Sequence, residues 1–417
     1  MGKGVLWIID HYASEPKYAG YTRQYSLANE LAKKGIKVLV IASSFSHFLH
    51  KYITNQEYLI DEISPCAKIV YFKTNSYEKN TSIKRFFGMR SFSNQVMKYS
   101  KLLEDQFGQP TWIIASSPHI LSWEVGYKMS RKYNAVFDIE IRDFWPWELR
   151  SADDDVLHKM LYLYFDCIET KAFKNADKII CTTEHGANYC DDMEKPGKEK
   201  FVYIGQPMDC RRYDSEAIEN YELIPEEIRS FIADDFFCVF SGYYMPYEGV
   251  MLMLEAAKDL PQVKFLFVGS GSEKENMNKF AQENQLNNVL IWDRIPKECI
   301  PALLKESDIC LAYLYDEKNP KMFKYGMSKN KVNEYLYSGA ITIMGFDSEN
   351  NEVIESGGGF TFKPTTNEFT KYIKMVYEMT PEERREKGAR SRKYMEMTHD
   401  TGELAKKYMR EVLHVEA

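Results

Sequence analysis

Residues 325–339 read Tyr325-Gly326-Met327-Ser328-Lys329-Asn330-Lys331-Val332-Asn333-Glu334-Tyr335-Leu336-Tyr337-Ser338-Gly339, and the apolar run Ile341-Thr342-Ile343-Met344 follows. The pattern predicts a lysine-bearing loop, a short helix that ends at Gly339, and then a buried strand. Lysines and backbone N–H groups at a helix N-terminus bind phosphate oxygens, and a carboxylate one turn further in accepts hydrogen bonds from a ribose diol. Lys331 and Glu334 have this spacing. The stretch therefore predicts a nucleoside-diphosphate site. The alternative is an ordinary β-loop-α-β unit with a solvated lysine-rich loop.

The same stretch carries a resemblance to a known family. The spacing Ser-x-x-Lys-x-x-Glu-Tyr-x-x-x-Gly is followed by a strand, by Asn351-Glu352-Val353-Ile354 and by Gly357-Gly358-Gly359. It resembles the donor-sugar motif of family-4 retaining glycosyltransferases, and most of all the bacterial O-antigen and capsule enzymes of the N-acetylfucosamine-transferase type. The resemblance implies that Glu334 holds the ribose of a nucleotide sugar. The second glutamate of the family motif falls at Gly326 in this chain.

Length and composition set the class of protein. A chain of 417 residues with 44% apolar and 28% charged residues predicts a soluble globular protein of two domains. Its 54 basic and 61 acidic residues argue against a dedicated nucleic-acid binder. The eight scattered cysteines suggest neither a zinc site nor a disulfide framework, which fits a reducing cytoplasm. Without a signal-length apolar segment or a run of ~18 apolar residues, we expect a cytoplasmic location, with the inner face of the cell membrane left open.

The order of apolar runs predicts an α/β fold. Val5 to Ile9 is a buried strand, Thr22 to Lys34 a helix, and Val38 to Ile41 the next strand, as in a doubly wound sheet. The rhythm stops at a polar, acid-rich stretch, residues 209–235, and restarts at Phe236. Two Rossmann-like halves facing each other across a cleft are therefore expected. The resemblance names this fold GT-B. It implies an acceptor-binding domain over 1–208, a nucleotide-sugar domain over 209–395, and a helix over 396–417 that returns to the first domain.

Two residues near predicted strand ends are candidates for the acceptor side. Asp143 lies in Glu140-Ile141-Arg142-Asp143-Phe144-Trp145-Pro146-Trp147, which resembles an Arg-Asp-Leu-Trp-Pro segment of the transferase subgroup. Its carboxylate is a candidate to take or orient the proton of an acceptor hydroxyl. The alternative is a structural Arg142–Asp143 pair. His119, after Ser116-Ser117-Pro118, is the second catalytic candidate, the alternative being an incidental loop histidine.

The predicted donor site also draws on glycines and lysines elsewhere. Gly20, just before the first helix, would allow close backbone approach to a ligand. In Ser241-Gly242-Tyr243-Tyr244-Met245-Pro246-Tyr247-Glu248-Gly249, the family typically has a basic residue after the glycine, and none stands here. The diphosphate charge must then be met by Lys321, Lys324, Lys329 or Lys331 and by helix dipoles, with Lys331 best placed. The predicted donor-binding set is Gly20, Gly242, Lys324, Ser328, Lys331, Glu334 and Glu352.

A basic, aromatic segment suggests contact with a membrane. Residues 79–101 hold six basic residues, no acidic ones, and several phenylalanines. Basic residues beside exposed aromatic ones favour an anionic lipid surface. The predicted membrane patch is Lys84, Arg85, Phe86, Phe87 and Arg90. The alternative is an amphipathic helix that packs its phenylalanines inward.

These observations predict a sugar transferase, and the resemblance implies that it is retaining and metal-independent. It would move a hexose or N-acetylhexosamine-type sugar from a nucleoside diphosphate, with UDP favoured, to a saccharide hydroxyl, plausibly on a polyprenyl-diphosphate carrier. No cofactor beyond the nucleotide sugar and no metal is expected, since Asp153-Asp154-Asp155 reads as a helix start. The same features leave two rivals open: a nucleotide-sugar epimerase of the same fold, and a non-catalytic transferase-like scaffold.

Overall fold

The computed structural model describes residues 3–18, 20–79, 82–145, 156–233, 235–315, 323–326, 328–347 and 351–416, with the backbone alone at 156–158. The chain divides into two compact units. Unit 1 comprises Met1–Pro207 and Thr401–Ala417, and unit 2 comprises Met208–Asp400. The predicted Asp153-Asp154-Asp155 helix start and Lys321 lie outside the described residues, as do Pro146 and Trp147.

Unit 1 is built on a parallel sheet. Over its described residues the sheet has eight strands in the order β10-β9-β8-β7-β1-β2-β6-β5, and only the edge strand β5 runs antiparallel to its neighbour. A short antiparallel pair, β3 with β4, lies apart from it. The strands are β1 Val5–Ile9, β2 Lys37–Ser43, β3 Phe45–Ser46, β4 Lys51–Tyr52, β5 Tyr58–Ser64, β6 Ala67–Phe72, β7 Trp112–Ser116, β8 Val136–Ile141, β9 Ile179–Cys181 and β10 Phe201–Tyr203.

Helices connect these strands and cover the sheet. They are α1 Arg23–Lys33, α2 Ile83–Lys98, α3 Ser100–Phe107, α4 Leu121–Tyr133, α5 Val156–Asn175 and α6 Asn188–Asp192. Leu6 and Ile8 on β1 and Leu27 and Leu31 on α1 are fully buried in one core, as expected for a strand covered on both faces.

Unit 2 repeats the design. In the residues described there, its parallel sheet has six strands in the order β13-β12-β11-β14-β15-β16. They are β11 Phe237–Tyr243, β12 Lys264–Ser270, β13 Val289–Trp292, β14 Ile309–Tyr313, β15 Ile341–Gly345 and β16 Gly359–Phe362. The helices of this unit are α7 Cys210–Glu219, α8 Glu226–Ile232, α9 Val250–Asp259, α10 Lys274–Glu283, α11 Ile300–Glu306, α12 Asn330–Ser338, α13 Glu352–Glu355, α14 Thr366–Tyr377 and α15 Pro381–Thr398.

The sequence predicts residues 209–235 to be a polar interruption between the two units, but the stretch folds into the helices α7 and α8. Asp209 caps α7 by accepting a hydrogen bond from the Arg212 N–H at 3.0 Å. Tyr213 and Ala217, four residues apart, are buried in the core of unit 2. Most of the acidic residues described in this stretch are exposed.

The end of the chain returns to unit 1. The predicted capping box of α15 is present, with Thr380 and Glu383 bonded reciprocally. After α15 the chain forms α16, Thr401–Tyr408, and a π-helical turn, Met409–Leu413. Leu404, Tyr408 and Leu413 are buried in the same core as β1 and α1.

Candidate functional site

The predicted phosphate-binding stretch forms α12 and the loop before it. Lys329 stands at the N-cap position of α12 without a side-chain cap, and Gly339 ends the helix at φ +90°. The apolar face of α12, including Val332, Tyr335 and Leu336, is buried against the sheet of unit 2. This packing fixes the helix so that its N-terminal turn lies beside the end of β11.

Tyr335 joins α12 to β11 directly. Its hydroxyl accepts a hydrogen bond from the Ser241 N–H at 2.9 Å and donates one to the Ser241 carbonyl at 3.1 Å. On this side of β11, the neighbouring strand β14 pairs only with Cys238 and Val239. The Tyr335 hydroxyl therefore bonds to the backbone groups of Ser241, which lie beyond that pairing. The lysines of α12 and Gly242 are thereby held together.

Two lysines converge on one carboxylate at this point. Lys329 Nζ lies 3.2 Å from Glu248 Oε1, and Lys331 Nζ forms a short ion pair with Glu248 Oε2. Lys331 also lies 4.7 Å from the centre of the Phe240 ring. A Cβ on Gly242 would come within 3.3 Å of Lys331 Nζ, so this glycine leaves room for the ammonium group. The cluster has two positive charges and one negative charge.

The surroundings alter the acidity of Lys331. Burial and the neighbouring Lys329 charge lower its pKa to about 8, while Glu248 opposes that change. The ammonium group is therefore charged at neutral pH and loses its proton in mildly alkaline solution.

Glu334 lies one turn beyond Lys331 on α12 and is partly buried. Desolvation raises the pKa of its carboxyl group, with Lys297 opposing and Glu216 reinforcing the shift. Among the described residues, the side chain has no hydrogen-bond or ion-pair partner. A half-buried carboxylate without a partner is suited to accept hydrogen bonds from a ligand.

The other predicted donor residues have different surroundings. Ser328 is partly buried in the loop before α12, and Lys324 is exposed, with its ammonium 6.0 Å from the Tyr325 ring. Glu352 is buried and lies 2.9 Å from His399 Nε2, so its carboxylate contributes to packing between α13 and the end of α15. Gly20 belongs to unit 1, where a Cβ would collide with Ser14. These four residues remain predictions for donor binding.

Asp143 follows β8 at the carboxyl edge of the unit 1 sheet. Ser117, which follows β7, accepts a hydrogen bond at its Oγ from the Arg142 N–H at 2.9 Å. The Arg142 guanidinium lies 3.3 Å from Asp10 Oδ2 and 4.1 Å from the Tyr21 ring, so Asp10 is its ion-pair partner. The Asp143 side chain reaches solvent, and partial desolvation raises its pKa against the opposing Arg142 charge. Its predicted role toward an acceptor hydroxyl stays a prediction.

His119 is buried at the start of α4. Its Nδ1 accepts a hydrogen bond from the Ser122 N–H at 3.0 Å, which caps the helix, and burial lowers its pKa to about 3. Its ring stacks on His11 with centroids 4.6 Å apart. The ring is thus neutral and serves as a cap, and its predicted catalytic role stays a prediction.

Sequence reasoning missed two features of these regions. It did not single out Glu248, because the family resemblance leads us to expect a basic residue in that segment. It also missed His11, whose buried Nδ1 has no partner among the described atoms, as is true of His119 Nε2 and Arg142 Nε. His11, Tyr12, Gly20 and His47 line one recess in unit 1. The only sequence signal was position, since Asp10 and His11 follow directly after β1.

The predicted membrane patch is only partly exposed. Phe87 is 53% exposed and Lys84 is exposed, whereas Arg85 donates to the Tyr12 hydroxyl at 3.2 Å and Arg90 to Glu124 at 3.0 Å. Both arginines are thus partly buried, and Arg90 also donates to the Tyr164 hydroxyl. Phe86 packs against α5 through Tyr164, 6.3 Å between ring centres.

The exposed part of the patch continues onto α5. Met160 and Leu163 on that helix are each 65% exposed, and Ile83 at the start of α2 is also exposed. Within the described ranges, no helix is both long and apolar enough to cross a bilayer. Exposed apolar side chains thus stand on both α2 and α5.

Comparison with known proteins gives results for unit 2 and for the fold. Residues 226–394, all within unit 2, match the family model described as Glycosyl transferases group 1. No curated protein sequence matches the chain. Since the matched segment contains Glu248, Lys331 and Glu334, the predicted family resemblance is confirmed for this segment at that level. The narrower resemblance to N-acetylfucosamine-transferase-like enzymes stays a prediction.

Solved structures match along nearly the whole chain. Sucrose-phosphate synthase from Thermosynechococcus elongatus is 17% identical, with 99% of this chain and 98% of that one covered, at a TM-score of 0.69. HepE from Anabaena, in complex with UDP, is 13% identical, with 99% of this chain and 100% of that one covered, at a TM-score of 0.66. A glycosyltransferase from Rickettsia africae ESF-5 is 13% identical over 100% of both, also at 0.66. At these identities the likeness shows the fold, and the predicted class of two Rossmann-like domains of GT-B type is confirmed.

Proposed function

We propose that the protein is a retaining glycosyltransferase that takes a sugar from a nucleoside diphosphate and transfers it to a saccharide hydroxyl. The observation that carries this proposal is the N-terminal turn of α12, where Lys331 lies one turn from Glu334, a carboxylate with no hydrogen-bond or ion-pair partner among the described residues. The turn lies in the segment that matches Glycosyl transferases group 1. UDP is the favoured nucleotide, because a structural neighbour was solved with UDP bound.

In the proposed reaction, unit 2 holds the leaving diphosphate. The ammonium groups of Lys329 and Lys331 and the N-terminal dipole of α12 stabilise the negative charge that grows as the sugar departs. Glu334 accepts hydrogen bonds from the ribose hydroxyls and so fixes the nucleotide. The acceptor hydroxyl attacks the face that the diphosphate vacates and transfers its proton to a phosphate oxygen, which retains the anomeric configuration.

The acceptor belongs, in this proposal, at the carboxyl edge of unit 1. Asp143 orients the acceptor hydroxyl there, and Gly20 lines a recess together with His11. The narrower assignment, to O-antigen or capsule synthesis on a polyprenyl-diphosphate carrier, rests on the sequence resemblance. A lipid-linked acceptor would place the enzyme at an anionic membrane surface, which the exposed Phe87, Lys84, Met160 and Leu163 are suited to contact.

Thermal stabilisation by UDP, GDP, ADP, CMP and dTDP tests the donor site. A ligand at one hundred times its dissociation constant stabilises the native state by about 2.7 kcal/mol, enough for a clear shift. We expect one nucleotide to raise the melting temperature of the wild type. Glu334→Ala should lose the shift, whereas Glu386→Ala, which removes an exposed carboxylate from α15, should keep it.

The two rivals give different outcomes. Incubation of the enzyme with nucleotide sugar alone would yield an epimerised nucleotide sugar if the protein is an epimerase, whereas a transferase needs an acceptor. A scaffold without a donor site would show no shift with any nucleotide. A shift that survives Glu334→Ala would refute the assignment of this carboxylate.

A further inference from the structure

We infer that Glu248 is a resident counter-ion that the donor diphosphate must displace from Lys329 and Lys331, so that it sets the affinity of the site and promotes release of the product. This inference rests on the proposed function, because it concerns the same two lysines.

The geometry of the loop holds Glu248 in place. It is the last residue of a 3₁₀ turn, Pro246–Glu248, and its N–H bonds to the Met245 carbonyl at 2.9 Å. Gly249 follows at φ +63°, where a Cβ would collide with the Tyr313 ring. The turn is thus fixed against β14, and the carboxylate is 11% exposed.

One carboxylate spans both ammonium groups. Its two oxygens pair with different lysines, so an incoming phosphate finds both positive charges already engaged. The three charges sum to +1, which leaves one net positive charge at the uncapped N-terminus of α12. Because Glu248 is part of the chain, it competes with an effective concentration in the millimolar range or above. An anion with a single charge that replaces the Glu248 carboxylate gains little binding energy, because it only substitutes one negative charge for another. A diphosphate brings at least two negative charges to the two lysines.

The exchange has a consequence for turnover. A nucleoside diphosphate that has lost its sugar carries more negative charge than the donor, and would leave slowly from a site with two free ammonium groups. A tethered carboxylate that returns to the lysines opposes rebinding and assists departure. Glu248, an acid in the segment where the family resemblance leads us to expect a base after Gly242, thus has a role in the proposed cycle.

Calorimetric titration with UDP and with inorganic pyrophosphate tests the inference. The measurements are made at pH 6.5, where Lys331 is protonated, on wild type, Glu248→Gln, Glu248→Asp, Lys331→Met and a control. The control, Glu275→Gln, removes one exposed negative charge from α10. Because a hydrogen bond to a charged group changes binding by roughly tenfold to a hundredfold, we expect Glu248→Gln to bind UDP at least about tenfold more tightly. Glu248→Asp, which is too short to span both lysines, should give part of that gain.

The outcomes separate this inference from the proposed function. UDP binding that is lost in Lys331→Met but unchanged or weaker in Glu248→Gln and Glu248→Asp would overturn the counter-ion and leave the donor site intact. Absence of binding by either probe to wild type and to both Glu248 variants would overturn both. A gain for pyrophosphate in Glu248→Gln but not in Glu275→Gln would support the counter-ion whatever the base of the donor.

Discussion

Tyr335→Phe removes one hydroxyl and tests how α12 is attached to β11. The aromatic ring is fully buried and is retained by phenylalanine, so packing changes little. The hydroxyl accepts from the Ser241 N–H and donates to the Ser241 carbonyl, at 2.9 and 3.1 Å. Its removal leaves both backbone groups without these bonds.

The cost follows from these two contacts. A buried polar group left unsatisfied costs about 1–3 kcal/mol, and Ser241 is only half-buried, which favours the lower end for each group. We therefore expect a loss of about 2 kcal/mol in the free energy of unfolding of unit 2. For a unit of about 150–250 residues, this lowers the melting temperature by about 4–8 °C. UDP binding should weaken as well, because the same hydroxyl holds Lys331 beside Gly242.

Differential scanning calorimetry measures the change, and Tyr213→Phe is its matched control. Tyr213 is also a buried tyrosine of unit 2, but its hydroxyl has no hydrogen-bond partner among the described atoms. Loss of that hydroxyl should leave the melting temperature unchanged or slightly raised. Equal destabilisation by the two substitutions would show that the Ser241 bonds contribute nothing specific. A stable Tyr335→Phe protein with unchanged UDP affinity would refute the reasoning altogether.

Two further predictions concern pH and lipid. The affinity for UDP should fall about tenfold between pH 7 and pH 9, because Lys331, with a pKa of about 8, loses its positive charge as the pH rises. The affinity of Lys331→Arg should stay constant over this range, because arginine keeps its charge. Isothermal titration at each pH measures the affinity, and a constant value for the wild type would contradict the role of Lys331 in UDP binding. The wild type should sediment with phosphatidylglycerol vesicles at low salt. Phe87→Ser should reduce this binding severalfold, whereas Ile218→Ser, at an exposed apolar site in unit 2, should not. Equal binding to phosphatidylcholine vesicles would count against an electrostatic membrane contact.

The fold class was accessible from the sequence because each unit repeats one local pattern. Val5 to Ile9 and Val38 to Ile41 are continuous apolar runs with a helix between them, and periodicity alone predicts such strands. The strand β5 was not predicted, since it lies at an edge and its half-buried residues lack a clear alternation. The strand β6 was missed although it is a largely apolar and buried run. The helix α7 was missed although Asp209, Tyr213 and Ala217 carry a cap and a four-residue apolar spacing.

In the candidate site too, relations within one helix could be predicted from the sequence, whereas contacts between distant residues could not. Lys331 and Glu334 are three residues apart on one helix, so their relation could be inferred from spacing. The pairing of Glu248 with Lys329 and Lys331 joins residues 81 and 83 positions apart, and only the packing of β11 against α12 brings them together. Similarly, the pairings of Arg85 with Tyr12 and of Arg90 with Glu124 join residues that lie far apart in the sequence.

The return of the chain to unit 1 affects the order in which the protein can be completed. Leu404, Tyr408 and Leu413 fill the same core as Leu27 and the first strand, yet they are synthesised after the whole of unit 2. Unit 2 is continuous in sequence, so it can finish folding on the ribosome while the older half still exposes the apolar surface that these side chains will cover. The half that is made first is thus the half that is finished last. A substitution in α16 that weakens this packing would therefore destabilise β1 and α1, at the opposite end of the chain.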